Sequence, residues 1–200
     1  SALMQGLADG YFVLPYTIQN FLADEINTPR FNTDTKEFDE AEKEVRTQLE
    51  KLMAVQGSQT VDTLHKRLGK IMWEYVGMAR NKKDLIKARE EIKKLREEFW
   101  SSVKIPGKLD DLNTELQKAS RLADYLELGE LMALDAQNRE ESCGGHFREE
   151  FQTEEGEALR NDKDFTYVAN WEYKGPDKDP VLHKESLDFE YIEVKQRNYK

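Results

Sequence analysis

The chain has 200 residues, enough for one domain with a real core, with or without a tail. Its formal net charge of -10 argues against a primary nucleic-acid role and against unaided docking on an anionic membrane, since both surfaces repel it. The single cysteine excludes an internal disulfide, and no apolar run approaches the roughly 20 residues of a membrane span.

The first segment is apolar for a terminus. Met4, Leu7, Tyr11, Leu14 and Ile18 recur near helical spacing, with Phe12 and Phe21 beside them. Ser1-Ala2-Leu3 lacks the basic start of a signal peptide. The expectation is a helix over residues 1 to about 26, interrupted near Pro15, whose oily face is covered in a larger protein.

A loop follows at Asn27–Asn32, and Asp34 and Glu37 have capping-box spacing for the next helix. Phe38, Ala41, Val45, Leu49 and Leu52 form its apolar stripe, and Gly57 marks its end. A helix over about residues 60–79 carries Val61, Leu64, Leu68, Ile71, Met72 and Tyr75. Asn81 can cap the next helix, whose Leu85, Ala88, Ile92, Leu95 and Phe99 alternate three and four apart, the spacing of a coiled-coil seam. Ile105-Pro106-Gly107 breaks it. A last long helix carries Leu112, Leu116, Ala119, Ala123, Leu126 and Leu131 and ends near Asn138.

Amphipathic helices with short joints predict a mainly α fold. Its centre is an antiparallel three-helix, spectrin-repeat-like bundle, made either from about 36–55, 60–79 and 82–104 or from the last three helices. A small β-ribbon tail follows. Thr166–Tyr173 reads as one strand, Gly175-Pro176-Asp177 as a turn, and Leu187–Val194, apolar then acidic in alternation as far as Tyr191, as the second strand. A lone ribbon is marginal in water, so it should pack on the helices or on other parts.

Between the last helix and the tail lies Glu141-Ser142-Cys143-Gly144-Gly145-His146-Phe147-Arg148-Glu149-Glu150. Paired glycines permit a backbone that other residues resist, so this turn presents side chains to a neighbour. Cys143 and His146, with His65 and His183 elsewhere, supply too few ligands for zinc, so no metal site is expected. A structural thiol and a reactive thiol beside His146 both remain open. His65 reads as a solvated residue, and His183 as a loop residue. Lys82, Lys83, Lys87, Arg89, Lys93, Lys94 and Arg96 alternate with Glu90, Glu91, Glu97 and Glu98, which reads as a solvated, paired helix face. The acidic residues Glu149, Glu150, Glu154, Glu155 and Glu157 read as a solvated loop. Trp73, Trp100 and Trp171 read as core or interface anchors.

The stretch Glu141–Phe151 resembles the Glu-Ser-Arg-Gly-x-His-x-Arg-x-Asp-aromatic segment of succinate dehydrogenase and fumarate reductase flavoprotein subunits. The opening Ser1–Gly10 looks like the end of their flavin domain, and Lys195–Tyr199 resembles the family's Arg-x-Tyr ending. Cys143 stands where the family usually has Arg, and Glu150 where it usually has Asp. The resemblance implies the C-terminal portion of an FAD enzyme that interconverts succinate and fumarate. It further implies coupling to membrane quinone through an iron–sulfur subunit, with membrane anchor subunits contacted indirectly and a cytoplasmic location on the inner face of the cell membrane.

Carried over by position, Ser1, Ala2 and Leu3 are cofactor-binding: Ala2 and Leu3 match residues whose backbone meets the flavin ring, with Ser1 adjacent. No catalytic residue is assigned, because the family's proton-transferring and carboxylate-clamping residues would lie upstream. FAD is expected in the parent and none bound to this fragment, which is expected to be inactive. The implied domains are residues 1–30 as the end of the flavin domain, 31–140 as the helical bundle and 141–200 as loop and ribbon. His146 and Arg148 are either ordinary surface groups or, as the resemblance favours, groups that fix the loop onto the flavin domain. The competing reading is a non-enzymatic, spectrin-like helical interaction module.

Overall fold

The computed structural model describes residues 2–175 and 178–195. Ser1, the Pro176-Asp177 part of the expected turn and all but Lys195 of the closing motif lie outside them. The chain divides into two compact units between Val45 and Arg46, a boundary inside the third helix.

In the first unit, α1 (Ala2–Ala8) runs into a π-helical stretch (Asp9–Val13), then α2 (Leu14–Phe21) and a 3-10 turn (Ala23–Glu25). The expected interruption at Pro15 therefore takes the form of a widened turn. Pro15 sits in the first turn of α2, where its missing N–H costs nothing, and the Leu14 N–H reaches back five residues to the Asp9 carbonyl. None of these segments buries a residue: Leu3, Met4, Phe12, Ile18 and Phe21 are all exposed. Helix α3 spans Lys36–Ala54. Its cap lies one residue after the expected Asp34, because the Thr35 carbonyl accepts the first helical bond, from Asp39.

In the second unit the apolar stripe of α3 is buried only at its end. Leu52 joins the core and Leu49 packs against it, whereas Phe38 and Val45, on the first-unit stretch of the helix, are exposed. Gly57 does more than follow a helix end. It lies where β1 (Gln59–Thr60) runs parallel to β2 (Val103–Lys104), and a Cβ there would sit 1.8 Å from the Ser102 carbonyl oxygen. These two short strands were not legible in the sequence.

Helix α4 (Val61–Tyr75) is capped by the Thr60 hydroxyl and ends four residues before the expected point. Arg80 Nε donates to the Val76 and Gly77 carbonyls and so closes the turn that follows. Helix α5 (Lys82–Ser102) starts at Asn81 as expected, its side chain accepting from the Asp84 N–H. All five seam residues, Leu85, Ala88, Ile92, Leu95 and Phe99, are buried. Helix α6 (Thr114–Asn138) buries Leu116, Ala119, Leu122, Leu126, Ala133 and Ala136, but Leu112 precedes the helix and is fully exposed.

The chain is mainly helical, and α4, α5 and α6 share one core. Arg67 meets Glu98 and Tyr75 meets Lys87, so α5 runs back along α4. Arg96 meets Glu130 and Arg89 meets Gln137, so α6 runs back along α5. The three approach closely at Gly129, where an added Cβ would lie 3.2 Å from Met72 Sδ.

After α6 come the loop of interest, the short α7 (Asp162–Phe165) and a ribbon of β3 (Tyr167–Glu172) and β4 (Val181–Ser186). The ribbon is antiparallel, with Tyr167 opposite Ser186 and Glu172 opposite Val181. It is anchored to α6 by Trp171 Nε1 donating to Asp135 at 2.8 Å. The first strand matches expectation and the second does not. Leu187–Val194 is not a strand: β3 is already paired along its length by residues 181–186, and the apolar side chains of that stretch, Tyr191 and Ile192 most of all, lie exposed. His183, expected in a loop, lies in β4, with Nε2 2.7 Å from a Glu172 carboxylate oxygen.

Candidate functional site

The loop after α6 folds as a tight hairpin. Cys143 and His146 exchange both backbone bonds across Gly144-Gly145. Gly144 has φ 60°, the value that the first central position of a two-residue turn of this kind demands; Gly145 does not need it. The Ser142 hydroxyl ties the two arms together, accepting from the Arg148 N–H and donating to the Arg148 carbonyl.

Arg148 then points inward. Its side chain is 1% exposed, and Nη1 donates to the Ala136 carbonyl at 2.9 Å and to the Gln137 carbonyl at 3.3 Å. Those carbonyls end α6, where helical acceptors lack partners and the helix dipole favours a cation. Glu150 does the opposite job at α5: it accepts from the Lys82 N–H, at the start of the helix, where a negative charge is favoured. Arg148 Nε and Glu150 Oε2 meet at 3.1 Å, so one ion pair bridges the two helix ends. Burial pushes the Glu150 carboxyl upward, but the Lys82 N–H and Arg148 outweigh it and hold it below its ordinary value. Glu149 reinforces the joint by accepting from Asn81. Backbone bonds from Arg80 N–H to the Phe147 carbonyl, and from Glu149 N–H to the Arg80 carbonyl, complete it.

A second pair supports the outer arm. Glu141, 2% exposed, accepts from Arg139 and from the Asn161 N–H, while Arg139 also donates to the Tyr167 carbonyl at the start of β3.

Several sequence expectations change here. Arg148 is spent on this unit's own helices and is no outward docking group. Glu149 and Glu150 are exposed, as a solvated loop implies, but they also close on the start of α5. On α5 itself, Lys87 pairs with Glu91 within the helix, but Arg96 pairs with Glu130 on α6. His65, although exposed, stacks on Tyr125 at 5.6 Å. Trp73 is exposed, whereas Trp100 packs edge-on to Phe99 beneath Lys51. Arg80, Arg139, Glu141 and Ser142 were missed. Glu141 and Ser142 carried a signal, as the first two residues of the stretch that bears the resemblance, whereas Arg80 and Arg139 carried none. Of the cofactor-binding expectations, Ala2 and Leu3 begin α1 and Ser1 lies outside the described residues. No cluster of three potential metal ligands occurs among the described residues.

The family model described as fumarate reductase flavoprotein C-term matches residues 65–199. The chain belongs to this family. Among family relatives, the succinate dehydrogenase flavoprotein subunit of Bacillus subtilis is 25% identical over 74% of this chain and 24% of its own length. The uncharacterized FAD-dependent oxidoreductase of Methanocaldococcus jannaschii is 34% identical over 56% of this chain and 20% of its own. The chain thus spans about a fifth to a quarter of these relatives. In three dimensions, the flavoprotein-family domain is similar to an Escherichia coli quinol fumarate reductase variant, with TM-score 0.70, 22% identity, and coverage of 85% of this chain and 28% of the other. That likeness concerns the fold alone.

Proposed function

We propose that this chain is the helical C-terminal part of an FAD-dependent flavoprotein subunit that interconverts succinate and fumarate, and that the part itself is supporting and not catalytic. The family match over residues 65–199 carries the reading. Residues 1–30 end the flavin domain, 31–140 form an antiparallel, spectrin-repeat-like three-helix bundle, and 141–200 form the loop and ribbon. Opposed contacts along α4, α5 and α6 support the bundle, and the absence of any buried side chain in α1 and α2 supports a covering flavin domain.

FAD belongs to the parent, where Ala2 and Leu3 would meet the flavin ring through their backbone, with Ser1 adjacent. The fit is electrostatic. The first turn of α1 carries no acidic side chain, so its free N–H groups face no competing negative charge. The flavin, when bound, supplies hydride acceptance, and this chain's residues orient and hold. An iron–sulfur subunit, and through it quinone and membrane anchor subunits, are the partners. The location is peripheral on the inner face of the cell membrane, through those partner subunits; no helix among the described residues is long and apolar enough to cross a membrane.

The test is purification of the full-length subunit. Flavin absorbance bleached by succinate and restored by fumarate is expected. A colourless protein, or flavin indifferent to both acids, would refute the activity.

A further inference from the structure

His146 sits at the joint between the turn before α5 and the end of α6. Its Nε2 is 3.0 Å from the Arg139 carbonyl and its Nδ1 is 2.9 Å from Arg80 Nη1. The partners dictate the proton. A carbonyl only accepts, so Nε2 carries hydrogen; a guanidinium only donates, so Nδ1 is bare. Both bonds exist together only in the neutral Nε2–H form. A proton added at Nδ1 would point at Arg80 and break that bond.

We propose that His146 is an acid-sensitive latch: neutral, it bolts the Arg80 turn to the end of α6, and protonated, it releases that turn. The inference rests on this chain's own geometry and is independent of the flavoprotein reading.

The surroundings favour the neutral ring. Burial lowers its pKa most; the bond to the Arg139 carbonyl opposes this, and the charges of Arg80, Arg148 and Arg139 lower it further. Three carboxylates of the joint face cations: Asp135 on α6 acts on Arg80, Glu141 pairs with Arg139, and Glu150 pairs with Arg148. Glu149 is bonded to Asn81, and Cys143 meets His146 through backbone bonds. The difference between wild type and a His146 variant over pH 7.5 to 5.5 isolates the histidine.

With the folded value below the free one, the open form binds more protons. Closure is therefore complete above the ordinary histidine value and weakens as pH falls through it. In the full-length protein, hydrogen exchange of peptides covering residues 76–82 and 139–149, corrected for intrinsic rates, should speed up by as much as about tenfold between pH 7.5 and 5.5. His146→Gln, whose amide can donate and accept without titrating, should flatten that profile. A flat wild-type profile, or the same acid response in the variant, would overturn the latch. Nitrogen NMR of histidine-labelled protein reads the same point without a variant. A neutral Nε2–H ring titrating below its ordinary value is expected, and an Nδ1–H ring or an ordinary titration would overturn it.

Discussion

Arg148 is the residue on which the loop turns. It is buried, it satisfies carbonyls at the end of α6, and it holds Glu150 against the start of α5. Arg148→Met keeps the stem and removes every guanidinium bond, leaving the Ala136 carbonyl and the Glu150 carboxylate without it. The expected loss is about 3–5 kcal/mol, the range for breaking a buried pair from one side, read from the denaturant midpoint. A variant within experimental error of wild type would mean that the guanidinium is not stapling the helices. Glu150→Gln should cost far less, about 1 kcal/mol or below, because that carboxylate is partly exposed. The Glu150 contribution carries its own sign. Its folded pKa is depressed, so its stabilisation is present above the ordinary glutamate value and fades as pH falls below it. Acid titration of stability should therefore be shallower in Glu150→Gln than in wild type. At this scale the glycine turn was legible and the destination of Arg148 was not. Its acceptors are main-chain carbonyls of Ala136 and Gln137, which residue identity does not advertise.

Elements with strong periodicity were readable, and elements defined by their neighbours were not. The seam of α5 carries its own register, and Asn81 its own cap. Asn81→Ala should cost about 1 kcal/mol in thermal or denaturant unfolding, because it orphans the Asp84 N–H. No measurable change would remove the cap from the account. The pair β1 and β2 depends on Gly57 meeting a carbonyl 45 positions away, at Ser102, and no local pattern encodes that approach. Gly57→Ala should destabilise by about 1–3 kcal/mol through overpacking against a rigid backbone; tolerance without loss would show that the strands can part freely. The ribbon makes the same point in reverse. Leu187–Val194 has the better alternation, yet Val181–Ser186 forms the strand, since pairing needs an available edge and not merely a pattern. The cap of α3 moved from Asp34 to Thr35 because either type can cap and geometry chooses.

For the whole molecule, the contrast lies between the two units taken separately. Residues 46–195 carry a core of leucine, isoleucine and phenylalanine with ion pairs around it. The segment from Ala2 to Glu25 buries nothing, although it is rich in Leu, Phe, Tyr and Ile. Helices this short are marginal in water when no apolar face is covered. The apolar repeat implies a covering partner, and the flavin domain proposed for it rests on the resemblance of Ser1–Gly10. The direct measurement is hydrogen exchange over residues 2–21, in the flavin-loaded full-length subunit and in this chain alone. Strong protection in the subunit and fast exchange in the isolated chain are expected; equally fast exchange in both would contradict the claim that this face is built to lie against a flavin domain.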